Sequence, residues 1–466
     1  MSIFSDISTF YRKVVMPEDE TKDMIAERLG ETITPNMRAL RLSMTVADYL
    51  LSMNVAVSDV TDVALSITDR YCERKVSVEI IATVLMFSQD RGNDREPLTL
   101  IRPMTPRAVN SSLLQEVQDI AYDIHKGKLS LSKAEVRLEK LLTAPKSYPQ
   151  WVRSIGSGAL SAGIVAVLSN SPIIIGLAFL VGVIISYIPV LLSKHRIPPF
   201  FVQVVATIVA TLIAALVTWL GNNGVGWLQG IDPNLIIIGG IVLLVAGLSI
   251  VAAVEDALDE YYITANARIL RVILLTAGIV VGIIVGLSIA KALGVTMVVS
   301  TESRVYTDVV LQLFGAAAVA AGYALSVNTR FGGILLAGLV GAGGWGIYLL
   351  SAPAFGQVAA SFMAAGAVGI GAGLLARWLR TPPTIMVTAG IIALVPGLSL
   401  FNGLMALVVG VGESGSLTVA SIILLNALFA ALAIAAGASF GNLVARPIKR
   451  TFARAHNALP RRKLRN

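Results

Sequence analysis

Two patterns of apolar and polar positions divide the chain near residue 149. Before it, apolar residues recur at helical or strand spacing among charged ones; after it, they run together in stretches long enough to cross a bilayer. In the first region Leu40, Met44, Ala47, Leu50 and Leu51 share one helical face, and the pattern breaks at Asn54. Val60, Val63, Ala64 and Ile67 resume helical spacing, with Ser58 or Asp59 placed to cap the start. Val76 to Phe87 is β-branched and partly alternating, which predicts a strand; Asp90 to Asp94 is turn material, and Pro97 to Met104 can pair back as a second strand. Ser111 to His125 and Leu131 to Leu142 predict two amphipathic helices. Ala144 to Pro149 closes this N-terminal α/β domain, residues 1–149, whose leader up to about residue 36 carries no decisive pattern.

Ten apolar spans follow, at roughly 152–169, 172–192, 199–220, 235–253, 268–290, 306–327, 331–350, 355–378, 384–409 and 417–444. Two of them are interrupted by nearly the same words, Leu244-Val245-Ala246-Gly247-Leu248-Ser249 and Leu394-Val395-Pro396-Gly397-Leu398-Ser399. Glycine weakens a helix interior, and proline removes a backbone donor and clashes with the preceding turn. In hydrocarbon each freed carbonyl needs a partner from protein or trapped water. Other segments echo one another as well: Leu177 to Gly182 matches Leu336 to Gly341, and Pro199 to Val204 matches Pro353 to Val358. The offsets drift from 159 through 154 to 150, as loop-length differences produce. Spans one to five are thus equivalent to six to ten. Five is odd, so the halves cross in opposite senses, an inverted repeat with its site at the repeat interface.

The expected fold is an α-helical polytopic membrane protein of ten transmembrane helices in a 5+5 inverted repeat behind a cytoplasmic α/β domain. The units are 1–149, a first repeat 150–292, a second repeat 293–445 and a basic tail 446–466.

Composition agrees with the pattern. The 466 residues are 55% hydrophobic and 14% charged, with mean hydropathy +0.76, against the roughly one quarter charged of a soluble domain. The tail from Arg446 holds eight Lys/Arg and no Asp/Glu, which accounts for the whole net charge of +8. The basic pI is therefore no sign of nucleic-acid binding; the tail suits anionic lipid headgroups. Lys194, Arg196, Arg268, Arg271, Arg330, Arg377 and Arg380 fall on the same side as the tail, with Lys291 and Arg304 as exceptions. That side is cytoplasmic by the positive-inside rule, which places both termini in the cytoplasm. The first 20 residues show no apolar signal-peptide core.

Candidate chemistry is sparse. Cys72 is the sole cysteine and His125, His195 and His456 lie far apart, so no metal cluster and no disulfide is expected. No phosphate-cradling glycine and lysine motif is present, so no cofactor and no ATP-driven pump is expected. Glu255 and Asp256 follow the first interrupted span, where partial dehydration would raise a carboxyl pKa and suit proton coupling; a solvated loop paired with Arg268 and Arg271 is the alternative. Asp308 and Glu413 read as interfacial. Gly247, Ser249, Pro396, Gly397, Ser399 and Asn402 offer freed backbone, hydroxyl and amide groups, suited to the carboxylate and ammonium of an amino acid or to helix–helix hydrogen bonds. Gln203 and Gln357 form a further symmetric pair.

The chain resembles the threonine/serine exporter (ThrE) family of bacteria over nearly its whole length. The resemblance is carried by Asp48-Tyr49-Leu50-Leu51-Ser52, Ser58-Asp59-Val60, Tyr148-Pro149, Leu244 to Arg268 with Glu255-Asp256 and Ala265-Asn266-Ala267-Arg268, and Leu394 to Gly397. Ala246 departs from the proline expected in the first repeat. The resemblance implies export of L-threonine and L-serine across the bacterial cytoplasmic membrane, driven by protons or the membrane potential. One charge moved through 100 mV is worth about 2.3 kcal/mol, a gradient of roughly 50-fold. The competing class is a membrane-tethered enzyme or regulatory module, against which ten spans argue. The soluble domain is left with three roles: gating the path, sequestering it, or assembling a homo-oligomer.

Overall fold

The computed structural model describes residues 34–458 apart from 93–95, 106, 144–146, 196, 245–246, 298–307, 376–382, 396–398, 400–401, 404–405 and 407–415. The leader, the Pro396-Gly397 pair, Glu413 and the last eight residues of the tail lie outside the described residues, as do the side chains from 446 onward.

The N-terminal unit begins with α1 (Pro35–Ser52), whose first turn holds Pro35 and whose Thr34 hydroxyl accepts the Met37 N–H. Asn54, at φ 62°, takes the left-handed conformation that ends this helix where the pattern breaks. Helix α2 (Val57–Tyr71) follows, then β1 (Val76–Ile81), β2 (Val84–Gln89) and β3 (Leu98–Pro103), with α3 (Ser111–His125) and α4 (Leu131–Thr143) closing the unit. The sheet is an antiparallel meander, β1-β2-β3. Val76, Val78 and Ile80 of β1 and Leu85 and Phe87 of β2 share a core with the helices.

Two expectations are corrected here. The stretch from Val76 to Phe87 is a hairpin rather than one strand, pairing Ile81 with Val84 across Ala82 and Thr83. Ala82 adopts φ 55°, costly for a residue with a Cβ, and its N–H donates to Thr264 Oγ1 at 3.0 Å. A tertiary contact thus stabilises a turn that carries no turn residue. Nor does Ser58 or Asp59 cap α2: its first N–H, on Val57, donates to Asp256 Oδ1 at 3.1 Å. The Ser58 hydroxyl donates instead to Asp259 Oδ2 at 2.5 Å.

Beyond the unit, α5 (Gln150–Leu168), α6 (Pro172–Ser193) and α7 (Pro199–Asn222) are long and apolar, the last two opening on a proline. Next come α8 (Pro233–Ile241), α9 (Gly247–Leu258), α10 (Tyr262–Ala292), α11 (Val309–Ser326), α12 (Phe331–Leu375), α13 (Pro383–Ile391) and α14 (Ser416–Ala458). Among the described residues seven helices are long and apolar enough to cross a membrane. Helix α12 would measure about 67 Å if its 45 residues were straight, twice a bilayer core. It is not straight. Gly356 sits at φ 77°, ψ 169°, open to glycine alone, and a Cβ on Gly344 would lie 2.5 Å from Val368. Residues 344 and 368 are equidistant from 356, so the two arms of α12 lie side by side.

Helices α5 and α11 meet backbone to backbone. A Cβ on Gly156 would stand 2.7 Å from the Gly322 carbonyl, and one on Gly163 would stand 2.6 Å from the Gly315 carbonyl. The reciprocal contacts are 2.6 Å from Gly322 to Gly156 and 2.8 Å from Gly315 to Gly163. Partner numbers rise on one helix as they fall on the other, so the two run antiparallel, and only glycine permits the approach.

The N-terminal unit sits on one end of this bundle. The Ser111 N–H donates to the Val327 carbonyl at 2.7 Å, and the Tyr148 N–H to Asn328 Oδ1 at 2.9 Å. Val327 and Ile385 enter the unit's own apolar core.

Candidate functional site

A cavity of about 900 Å³ lies within the bundle, large enough for a small organic solute with water. Its wall is drawn from α5, α6, α8, α11 and both arms of α12, and from Leu244 and Leu394, the first residues of the two matched motifs. Ala108 and Val109, from the loop before α3, complete it at the end covered by the N-terminal unit. Deeper in, the Trp345 indole stacks on Tyr348 with ring centroids 5.1 Å apart, and its N–H donates to Gln312 Oε1 at 3.2 Å. The wall is otherwise apolar with scattered hydroxyls and amides. Arg153 is the one charged side chain among the described residues that form it.

Two short helices end at this wall in matching ways. Helices α8 and α13 are nine residues each, start at Pro233 and Pro383, and stop at Ile241 and Ile391. The N–H groups of Leu244 and Leu394 then turn back to the Ile241 and Ile391 carbonyls at 2.7 and 2.8 Å. Gly240 lies against Val181, and Gly390 against Val340, in the same relation.

What differs is how the breaks are satisfied. The Gln203 amide donates to the Leu244 carbonyl at 2.7 Å, closing the first break, while its own Oε1 stays buried without a partner. Gln357, offset by 154 residues, is exposed in the cavity wall, and no hydrogen bond joins it to Leu394 among the described residues.

A second polar cluster lies outside the cavity, where α9 and α10 meet the N-terminal unit. Asp256 is fully buried. One carboxylate oxygen caps α2 through Val57, and the other stands 3.1 Å from Arg268 Nε. Arg268 Nη2 donates to the Val55 carbonyl at 3.3 Å, so the ion pair grips the turn from Val55 to Val57 from both sides. Burial raises the Asp256 carboxyl above its ordinary value, against the pull of Arg268 and the Val57 amide. Glu255, beyond the apolar run of its span, is pushed up to about 7 by burial and then by the carboxylates of Asp59, Asp256 and Asp259, with Arg268 opposing.

Of the residues singled out from sequence, Ser399 lies in the cavity wall. Ser249 is half-buried on α9 and Gly247 opens that helix; neither belongs to the wall. Asn402 is also outside the wall, with its Oδ1 buried and without a partner. Glu255 and Asp256 are neighbours in the acidic seam rather than in the cavity. Sequence reasoning missed Arg153, Gln312 and Trp345. The signal for Arg153 was a basic residue inside the first turn of an apolar span, one of the few places where a cation interrupts the pattern.

Residues 41–290 match the family model described as "Putative threonine/serine exporter", and residues 312–444 match that described as "Threonine/Serine exporter, ThrE". A "Probable threonine/serine exporter" of Mycobacterium tuberculosis is 27% identical over 420 residues, covering 88% of this chain and 77% of the relative. The "Threonine/serine exporter" of Corynebacterium glutamicum is 29% identical over 415 residues, covering 88% of this chain and 83% of the relative. No solved structure matches the chain.

Proposed function

Because the chain belongs to the threonine/serine exporter family, we propose that it is a secondary active exporter that carries L-threonine and L-serine out of the cytoplasm at the expense of the proton motive force. The observation that carries this reading is one cavity walled by Leu244 and Leu394 together, at matched breaks in two halves of a multi-pass membrane protein. Such breaks at a repeat interface are where transporters hold substrate.

We read the membrane region as ten crossings in a 5+5 inverted repeat, behind a cytoplasmic α/β domain of residues 1–149. Seven long helices, the second arm of α12, the α8–α9 pair and the span opened by α13 supply that number. The glycine contacts support the inversion. At an offset of 159, Gly156 and Gly163 become Gly315 and Gly322, so the two α5–α11 contacts exchange places. Gly182 against Ser161 likewise becomes Gly341 against Ala320. Substrate contact is assigned to the breaks: Gly247 and Ser249 in the first, and Pro396, Gly397, Ser399 and Asn402 in the second, with Ser399 in the wall as support. Proton exchange is assigned to the Glu255–Asp256 pair, with Glu255 as the titrating member because its carboxyl is poised near neutrality. The tail from residue 446 lies on the anionic inner face of the bacterial cytoplasmic membrane.

Counterflow of labelled threonine into liposomes containing the purified protein alone tests the reading. Accumulation driven by internal unlabelled threonine or serine is expected. Absence of exchange with correctly inserted protein overturns it.

A further inference from the structure

Arg153 stands in the first turn of α5, half-buried, and belongs to the cavity wall, as does Ser326, whose carbonyl its guanidinium meets. Other arginines around the N-terminal unit meet carboxylates: Arg268 meets Asp256, Arg107 meets Asp48 and Arg330 meets Glu116. Arg153 does not. Its Nε donates to the Ser326 carbonyl at 3.1 Å, at the C-terminal end of α11, and no carboxylate pairs with it among the described residues. That bond fixes the plane of the guanidinium and leaves the two terminal nitrogens as a fork. The negative end of the α11 dipole supports the positive charge without neutralising it.

A permanently charged group in a largely apolar cavity, whose outer donors meet no partner among the described residues, is suited to an anion that comes and goes. The fork matches one chemistry best, a carboxylate held by two parallel N–H bonds. Resting on the export reading, we propose that Arg153 is the carboxylate receptor at the cytoplasmic mouth of the path and selects solutes with a free α-carboxylate.

The position makes this a station distinct from the deeper polar groups. Ser326 and Gln312 lie on one helix, 14 residues apart, or about 21 Å at 1.5 Å per residue. Threonine is far shorter than that, so it cannot touch Arg153 and the Gln312–Trp345 pair at once. Ala108 and Val109 close the same end of the cavity, and Ser111 and Tyr148 tie their unit to Val327 and Asn328, next to the carbonyl that holds Arg153. An amino acid arriving from the cytoplasm passes between that loop and Arg153, and its carboxylate is read before its side chain.

The test uses the full chain in liposomes with an internal threonine pool. In the parent, threoninamide, which lacks the carboxylate, should compete for external labelled threonine about tenfold or more weakly than threonine does. Arg153→Gln should raise the half-saturating threonine concentration by a similar factor with little change in maximal rate, and should narrow the gap between threonine and threoninamide. Arg153→Lys should fall between the parent and Arg153→Gln, since it keeps the charge but loses the fork and the bond to the Ser326 carbonyl. Equal competition by threoninamide in the parent overturns the assignment without any variant, and so does an Arg153→Gln protein that keeps the parental half-saturation and selectivity. A parent that exchanges no threonine at all fails the export reading instead, which keeps the two failures apart.

Discussion

The two breaks are built alike and held differently. In each, a nine-residue helix stops at isoleucine and a leucine N–H turns back to it. The first is then fastened by side chains on both flanks among the described residues. Gln203 occupies its freed carbonyl, and α9 runs straight into Glu255 and Asp256, which join the N-terminal unit. At the 150-residue offset that relates the two motifs, Met405 and Ala406 stand in place of those acids. Gln357, the counterpart of Gln203, stands in the cavity wall. Among the described residues the first break is held by Gln203 and by the acids beyond it, and no matching bond joins Gln357 to Leu394 at the second.

The largest effect should come from striking what both halves share. Gly163→Val places a side chain 2.6 Å from the Gly315 backbone carbonyl, which cannot yield without parting α5 from α11. Overpacking of this kind costs roughly 1–3 kcal/mol where neighbours can adjust, and more against backbone. Purified protein should lose its thermal transition and its counterflow together; normal melting would mean the contact is not an axis.

Next in size is release of the anchor. Asp256→Asn leaves Arg268 buried without its counterion, and breaking such pairs typically costs about 3–5 kcal/mol. Faster proteolysis of the N-terminal unit, with the membrane helices still protected, is the expected signature. Unchanged cleavage would show that the seam does not hold the unit.

The glutamines test the comparison itself. Gln203→Leu strips the Leu244 carbonyl of its partner, at about 1–3 kcal/mol, and should lower thermal stability more than it lowers transport per folded molecule. Gln357→Leu should do the reverse. If the two variants behave alike, the inequality between the breaks has no functional meaning.

The smallest effect belongs to Glu255. Its folded carboxyl holds a proton up to about pH 7, above the ordinary value of 4.5, so the ionised form is penalised in the folded state. Stability from this group is full below the ordinary value, falls as pH rises towards 7, and levels off above. Glu255→Gln should flatten that slope, be the more stable protein at pH 8, and weaken the dependence of threonine efflux on pH between 6 and 8. Parallel profiles for parent and variant would remove Glu255 from proton exchange.

Periodicity was enough to find the seven long apolar helices and the stop at Asn54, because apolar runs and helix breakers are local signals. What it missed was decided at long range. Ala82 and Thr83 turn the β1–β2 hairpin with no turn residue because Thr264 holds them, and α2 starts without a cap of its own because Asp256 supplies one. Ser399 was placed at the cavity by its motif alone, whereas Asn402, on the same stretch, is not in its wall. Arg153 escaped notice because its meaning lies in the carboxylate it lacks, which only packing reveals.

The cap on α2 has a consequence for how the protein is made. Val57 leaves the ribosome 199 residues before Asp256 does. At synthesis rates of about 5–20 residues per second, the N-terminal unit waits roughly 10–40 s for the carboxylate that finishes its second helix. During that interval the hairpin tip also lacks Thr264, and the long apolar helices α5, α6 and α7 emerge first. The unit therefore cannot complete its hydrogen bonds from its own residues. Those to Asp256 and Thr264 wait for the chain beyond α7, and those to Val327 and Asn328 wait for the end of α11, so that finishing the unit certifies that these helices have been threaded correctly.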